Sequence, residues 1–180
     1  MRVAALYDIH GNLPALESVL EELQRITVDQ IVVGGDVLSG PMQPDCMERL
    51  QALSLPVHFL KGNTDREVMA ARHGDENRKL PPFALEMLRW SASQLTPAHE
   101  KWLASWPRTV TLRIPHLGSV LFCHATPRSD EELLTRISAP ERWSEALGGV
   151  EAALVVAGHT HQQDDRMVRS EEHTSELQSQ

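Results

Sequence analysis

Aspartate, histidine and asparagine residues recur in this sequence directly after short apolar runs. They are Asp8 with His10, Asp36, Asn63 with Asp65, His124, and His159 with His161. Residues two apart in an extended chain point to the same side, about 6.5–7 Å apart, so a pair with this spacing can place two side chains on one face. Carboxylate, imidazole and amide donors suit divalent metals such as Mn, Fe, Co, Ni or Zn. One Asp-x-His or His-x-His is a weak signal, whereas the ordered set predicts a metal centre.

Strands and helices alternate in the part of the chain that carries the first of these residues. The pattern predicts strands over Arg2–Tyr7, Gln30–Val33 and Val57–Leu60, each closed by a polar turn. Leucines at helical spacing predict a helix over Leu13–Arg25, and a second helix is predicted near Asp45–Leu53. This alternation indicates a parallel sheet with functional residues at the carboxyl ends of its strands.

The second half of the chain is predicted to combine helices with a hairpin. Residues 66–107 form a predicted helical insert. Thr109–Ile114 and Ser119–Cys123 flank a turn and predict an antiparallel hairpin, and Leu154–Ala157 predicts one further buried strand. His124 and the two histidines of GHTH again follow the ends of predicted strands.

Composition and charge exclude several classes of protein. The chain has 180 residues, of which 41% are hydrophobic and 23% charged, so it can bury a core and is neither disordered nor fibrous. No apolar run approaches the ~20 residues of a membrane span, and we expect no secretory signal. The two cysteines, Cys46 and Cys123, form no disulfide framework, so we expect a cytoplasmic location. The net charge of -8 disfavours stable nucleic-acid binding.

The last twelve residues, 169–180, read RSEEHTSELQSQ and break from the preceding composition. Most of this segment resembles the in-frame translation of a sequencing-library adapter. We interpret residues 169–180 as a non-native tail and residues 1–168 as a single domain. A natural polar tail is the alternative.

Five blocks follow one another along the chain: DIH, GGD, GNTD, CHATP and GHTH. In this order they resemble the calcineurin-like metallophosphoesterase superfamily over nearly all of residues 1–168, and DIHGN and HATPRSDEE are similar to its small bacterial phosphodiesterase-type members. The resemblance implies an α/β fold, a four-layer αββα sandwich of two mixed sheets with helices outside and metals at one edge. Full members continue beyond GHTH, so the fold is expected to be truncated and incomplete at the C-terminus.

The resemblance also implies two divalent ions, with Mn²⁺ expected and Fe, Ni, Co or Zn possible. The first ion would be held by Asp8, His10, Asp36 and His161. Asp36 would bridge to the second ion, which Asn63, His124 and His159 complete. A small phosphate ester is the implied substrate.

Two such ions about 3.5–4 Å apart can bind a phosphate and hold a bridging hydroxide as nucleophile. We therefore expect a phosphoric ester hydrolase, with phosphodiesters favoured over phosphomonoesters and with Asp36, Asn63 and His124 as catalytic residues. A non-catalytic interaction scaffold of the same fold, or an inactive fragment, is the alternative. The oligomeric state is left open.

Thr64 departs from the family pattern, in which many members carry a histidine that assists the leaving group. Threonine cannot act as a general acid near neutral pH. Asp65 is a candidate for that role. Arg128 is a candidate phosphate clamp, and a surface ion pair between Arg128 and Asp130 or Glu131 is an equally good interpretation.

Overall fold

The computed structural model describes residues 1–75 and 80–168, so the predicted non-native tail, residues 169–180, lies outside the described residues. Within the described residues, six strands and six helices form two sheets with flanking helices. The elements are β1 Val3–Leu6, α1 Leu13–Ile26, β2 Gln30–Val33, α2 Gln43–Gln51, β3 Val57–Phe59, α3 Asn63–Arg72, α4 Pro82–Ser93, α5 Pro97–Ala104, β4 Thr109–Ile114, β5 Gly118–Cys123, α6 Pro140–Leu147 and β6 Leu154–Val156. None of the helices in the described ranges could cross a membrane.

The first sheet has the strand order β1-β2-β3, and both pairings are parallel. Leu6, Val33 and Phe59 are neighbours in register across the three strands. Because parallel strands run in the same direction, the loops that follow these residues leave from one edge of the sheet. The predicted parallel sheet is therefore confirmed, and its carboxyl edge carries the first three polar blocks.

The second sheet is mixed. Strands β4 and β5 form the predicted antiparallel hairpin, in which Thr109 pairs with Cys123. Strand β6 runs parallel to β5, with Val156 opposite Phe122. The carboxyl ends of β5 and β6 therefore lie side by side, and the last two polar blocks follow directly from them.

The two sheets face each other through a small apolar core. Val32 and Leu60 from the first sheet region are buried with Val120 and Phe122 from the second. The Tyr7 hydroxyl donates a hydrogen bond of 2.9 Å to the carbonyl of Val156, which ties the end of β1 to β6. This packing brings the carboxyl edges of both sheets together, in agreement with the metallophosphoesterase fold.

The helical insert joins the first sheet through aromatic packing. The ring of Phe59 lies 4.9 Å from that of Trp102 and 5.0 Å from that of Trp106, measured between ring centroids. Gln43 and Ser91, both fully buried, hydrogen bond to each other and connect α2 to α4. The described part of the predicted insert, residues 66–75 and 80–107, therefore packs onto the first sheet, and residues 76–79 lie outside the described residues.

Helix α6, Pro140–Leu147, is absent from the sequence prediction. It spans eight residues, and of these Ala146 is buried. Trp143, Ala146 and Leu147 recur at helical spacing after Pro140, so the sequence carries a helix signal here that the sequence prediction did not use. The strands and the longer helices have the predicted order, with ends that differ by a few residues.

Candidate metal centre

Two groups of potential metal ligands lie at the joint edge of the sheets. One consists of Asp8, His10 and His161, and the other of Asp36, His124 and His159. Within each group the ligand atoms lie within 4.8 Å of one another. The Asp36 Oδ2 atom is 3.6 Å from His10 Nε2 and 3.4 Å from His124 Nε2, so this carboxylate stands between the groups.

Asn63 joins the second group. Its Oδ1 atom lies 3.1 Å from His124 Nε2. The side chain projects from the first residue of α3, directly after the third strand of the parallel sheet. The structure therefore brings together all the side chains that the sequence nominated as metal ligands, although they come from five separate loops.

Most of these residues have a left-handed backbone. Asp8, His10, Asp36, His159 and His161 have φ angles of 55°, 44°, 53°, 69° and 52°. This conformation costs an L-residue roughly 1–2 kcal/mol, and such strain clusters at functional sites. Sequence reasoning found the side chains and made no statement about their backbone, although Asp and His are enriched in this conformation.

Three of the histidines direct one ring nitrogen at a backbone carbonyl. These contacts are His10 Nδ1 to Leu38 O at 3.3 Å, His124 Nδ1 to Gly34 O at 2.9 Å, and His159 Nε2 to Glu131 O at 3.3 Å. A carbonyl only accepts, so the nitrogen that faces it carries the proton. The other ring nitrogen then keeps its lone pair for a cation, which is the usual arrangement around metal-binding histidines.

The carboxylate of Asp8 carries an unsatisfied oxygen. Its Oδ2 atom accepts the backbone N–H of His159 at 2.9 Å, while Oδ1 is buried without a hydrogen-bond partner. The Nε2 atom of His161 lies 3.6 Å from this Oδ1 atom, which is too far for a hydrogen bond. A buried carboxylate oxygen without a partner is costly. A divalent cation between Asp8 and the histidines would satisfy it, so these residues fit a metal.

Asp36 and His124 form an interacting pair. Burial raises the pKa of the Asp36 carboxyl, but His124 and two hydrogen bonds from Thr64 outweigh it and lower the pKa below its ordinary value. Burial lowers the pKa of His124, but the neighbouring Asp36 charge raises it above its ordinary value. The pair thus holds a negative carboxylate that attracts positive charge.

Thr64 contacts the same carboxylate twice. Its backbone N–H donates to Asp36 Oδ1 and its hydroxyl donates to Asp36 Oδ2, each at 2.8 Å. The residue that departs from the family pattern therefore orients Asp36.

Asp65 is fully buried beneath the loop that carries Asp36. Its Oδ2 atom accepts the backbone N–H groups of Asp36 and Gly62, and its Oδ1 atom accepts those of Val37 and Leu38. Burial and the charge of Asp36 raise the pKa of Asp65 to about 6, against the opposite effect of these donors. Its carboxylate is enclosed by backbone and holds two loops of the site together.

Arg128 forms its ion pair with Glu132 rather than with Asp130 or Glu131. Its Nε atom is 2.8 Å from Oε2 of Glu132, and Nη2 is 2.5 Å from Oε1. Asp130 and Glu131 pair instead with Arg66 from α3, a residue that the sequence did not single out. A surface ion pair was one of the two interpretations of Arg128, but with a different partner; the structure shows Glu132 there, which also accepts a hydrogen bond from the Thr126 hydroxyl.

The chain is similar in sequence to proteins of one known family. The family model of the calcineurin-like phosphoesterase superfamily domain matches residues 1–174, and the match ends within the predicted non-native tail. An uncharacterized protein of Methanocaldococcus jannaschii is 28% identical over 130 residues, which are 72% of this chain and 51% of that protein. The chain thus spans about half the length of this relative.

Two solved structures share the fold. A metallophosphoesterase from Sphaerobacter thermophilus superposes with a TM-score of 0.65 at 28% identity, over 89% of this chain and 61% of that one. A hypothetical protein from Pyrococcus horikoshii OT3 superposes with a TM-score of 0.71 at 18% identity, over 86% of this chain and 68% of the other. At the lower identity the likeness shows the fold alone.

Proposed function

The chain belongs to the calcineurin-like phosphoesterase superfamily, and from that premise we propose that it is a dinuclear-metal phosphoesterase acting on small phosphodiesters. The observation that carries the proposal is the position of Asp36 between two groups of metal ligands. A carboxylate between two cations offsets their mutual repulsion, which a single-metal site does not require.

The ligand groups suggest how two cations would be held. Asp8, His10, Asp36 and His161 would hold the first, and Asp36, Asn63, His124 and His159 the second. The mixture of carboxylate, imidazole and amide donors suits Mn, Fe, Co, Ni and Zn, and of these we propose Mn²⁺, the ion that the family resemblance implies. When bound, such a pair supplies an activated water as nucleophile and offsets the charge of the phosphate.

Hydrogen bonds within the chain fix the positions of Asp36 and His124. Thr64 donates a hydrogen bond to each oxygen of the Asp36 carboxylate, and His124 Nε2 also contacts its Oδ2 atom, so the carboxylate is oriented before any ligand arrives. His124 itself is buried and fixed by the carbonyl of Gly34. Fixed ligands reduce the reorganisation that would otherwise accompany catalysis. Asp36, Asn63 and His124 are therefore the residues to which we assign the catalytic centre.

The preference for diesters with good leaving groups rests on Thr64 and Asp65. Thr64 has no group that donates a proton readily near neutral pH, and its hydroxyl already serves Asp36. Asp65 is enclosed by backbone amides, so we propose that it positions the Asp36 loop and does not protonate a leaving group. Arg128 is engaged by Glu132, which favours a role in bracing its loop over a role as a phosphate clamp.

Hydrolysis of bis-p-nitrophenyl phosphate tests the proposal. The chain should hydrolyse it with Mn²⁺ and not with a chelator, and faster than p-nitrophenyl phosphate, the matched monoester. Asp36→Asn preserves the shape of the side chain but should lower the rate at least about 100-fold and reduce metal occupancy, since even outer contacts of metal ligands matter 10–100-fold. Asp164→Asn, at an exposed aspartate, is the control.

Three outcomes would count against the proposal. Full activity and full metal occupancy in Asp36→Asn would refute the two-metal site. A folded wild-type chain that binds two Mn²⁺ ions but hydrolyses neither ester would favour the scaffold alternative, and a chain that does not melt cooperatively would favour the inactive fragment.

A further inference from the structure

Arg66 connects helix α3 to the loop of residues 125–138, which links β5 to α6. Its Nε atom lies 2.8 Å from Asp130 Oδ2, and Nη2 lies 3.5 Å from Asp130 Oδ1. The same guanidinium also pairs with the carboxylate of Glu131. The two acidic residues are adjacent in the chain, so this arginine forms ion pairs with two consecutive residues of the loop.

The loop segment of Asp130 and Glu131 contacts the candidate metal centre. The backbone carbonyl of Glu131 lies 3.3 Å from Nε2 of His159. With the proton on Nε2, His159 would present Nδ1 to a cation beside Asp36 and His124. Arg66 is thus linked to a potential metal ligand through one residue.

The rest of the loop is held by other contacts. Thr126 and Ser129 exchange backbone hydrogen bonds of 2.8 and 3.2 Å, and the Thr126 hydroxyl donates to Glu132 at 2.9 Å. The Arg128–Glu132 ion pair closes the same turn. These contacts fix the loop on either side of Asp130 and Glu131, while the link from this segment to α3 comes from Arg66.

We propose that Arg66 is a positioning residue for the second cation. By holding Asp130 and Glu131, it keeps the Glu131 carbonyl where it accepts the Nε2 proton of His159, and so it sets which nitrogen of His159 faces the cation. The inference rests on the proposed function, because it requires a cation at the group of Asp36, His124 and His159.

The competing explanation is an ordinary surface ion pair. Arg66 is about half exposed, with 44% of its side-chain surface accessible, and exposed ion pairs usually contribute little to stability. The pair between Arg49 and Glu17 provides a matched control, since its Nε–Oε1 distance is also 2.8 Å and its side chains are partly exposed. Arg49 lies on α2, and its partner lies on α1.

Metal titration of the purified chain separates the two explanations. Mn²⁺ binding to wild type, Arg66→Ala, Arg66→Lys and Arg49→Ala would be measured by isothermal titration calorimetry, and the tautomer of His159 by ¹⁵N NMR of the metal-free chain. Arg66→Ala should weaken one of the two Mn²⁺ ions about tenfold and leave the other unchanged. It should also shift His159 from a single Nε2–H form to a mixture. Arg66→Lys should restore most of the affinity, and Arg49→Ala should match wild type.

Asp130→Ala serves as a second variant, because it removes both oxygens that Arg66 contacts there and leaves α3 intact. It should reproduce the selective weakening of one ion. The inference would be overturned if the Arg66 and Asp130 variants bound both ions with wild-type affinity and kept the wild-type His159 tautomer. The dinuclear proposal would still stand. An equal weakening of both ions would also overturn the inference. A folded wild-type chain that binds one Mn²⁺ ion or none would overturn the dinuclear proposal itself.

Discussion

Replacing Asp65 by asparagine tests whether one buried carboxylate holds the candidate centre together. Asp65 accepts the backbone N–H groups of Asp36 and Gly62 at 2.8 and 3.0 Å through Oδ2, and those of Val37 and Leu38 at 3.0 and 3.1 Å through Oδ1. Asparagine has the same shape but a single acceptor oxygen. Whichever oxygen becomes the amide nitrogen, two buried backbone donors lose their acceptor and face an N–H₂ group instead.

The cost follows from the number of bonds lost. A hydrogen bond to a charged group contributes about 1.5–3 kcal/mol, so two lost bonds should lower the free energy of unfolding by at most about 3–6 kcal/mol, because the neutral side chain also removes the burial cost and the Asp36 repulsion that raise the pKa of Asp65. A domain of this size loses about 2–4 °C in melting temperature per kcal/mol, which corresponds to a decrease of about 6–24 °C. The Asp36 loop would also lose its anchor, so Mn²⁺ should raise the melting temperature less in the variant than in wild type.

Thermal unfolding followed by circular dichroism, with and without Mn²⁺, measures both effects. Asp164→Asn is the control, because it makes the same chemical change at an exposed site, where substitutions usually stay within about 0.5 kcal/mol. If Asp65→Asn melts within about 2 °C of that control, the carboxylate does not hold the loops and the reasoning is refuted. If stability is kept but hydrolysis is lost, Asp65 acts in the chemistry, as the sequence interpretation suggested.

Three further predictions concern neighbouring residues. Thr64→Val removes the side-chain hydrogen bond to the Asp36 carboxylate and should lower the free energy of unfolding by about 1.5 kcal/mol. Thr64→Ser keeps the hydroxyl and should keep the wild-type stability. Equal urea midpoints for the two variants would contradict this. Gly34→Ala places a Cβ atom in steric overlap with the ring of Tyr7 and should lower the free energy of unfolding in urea by about 3 kcal/mol. An unchanged urea midpoint would show that the ring moves aside freely. Arg128→Ala removes an exposed ion pair and should change KM for bis-p-nitrophenyl phosphate less than about fivefold; a larger increase in KM would restore the phosphate clamp.

Much of the fold could be predicted from local patterns. Apolar runs of four to six residues separated by amphipathic helices specify parallel strands, and the residues after each strand then share one edge. The hairpin of Thr109–Ile114 and Gly118–Cys123 follows from two β-rich runs around a tight turn. Helix α6 was missed although Pro140 at its start and apolar residues at helical spacing mark it.

The candidate centre divides in the same way between local and tertiary information. The sequence by itself determined which side chains are available as ligands and in what order they follow the strands, since motifs such as DIH and GHTH are local. Only the tertiary structure decided that Asp36 lies between two groups of metal ligands and that Asp65 is buried among backbone amides. It also decided that Arg66 forms ion pairs with the loop beside His159. These contacts join residues far apart in the chain, as in the bond from the His159 amide to Asp8 across 151 positions. They depend on how two sheets pack against each other, and side-chain periodicity within one segment carries no information about that packing.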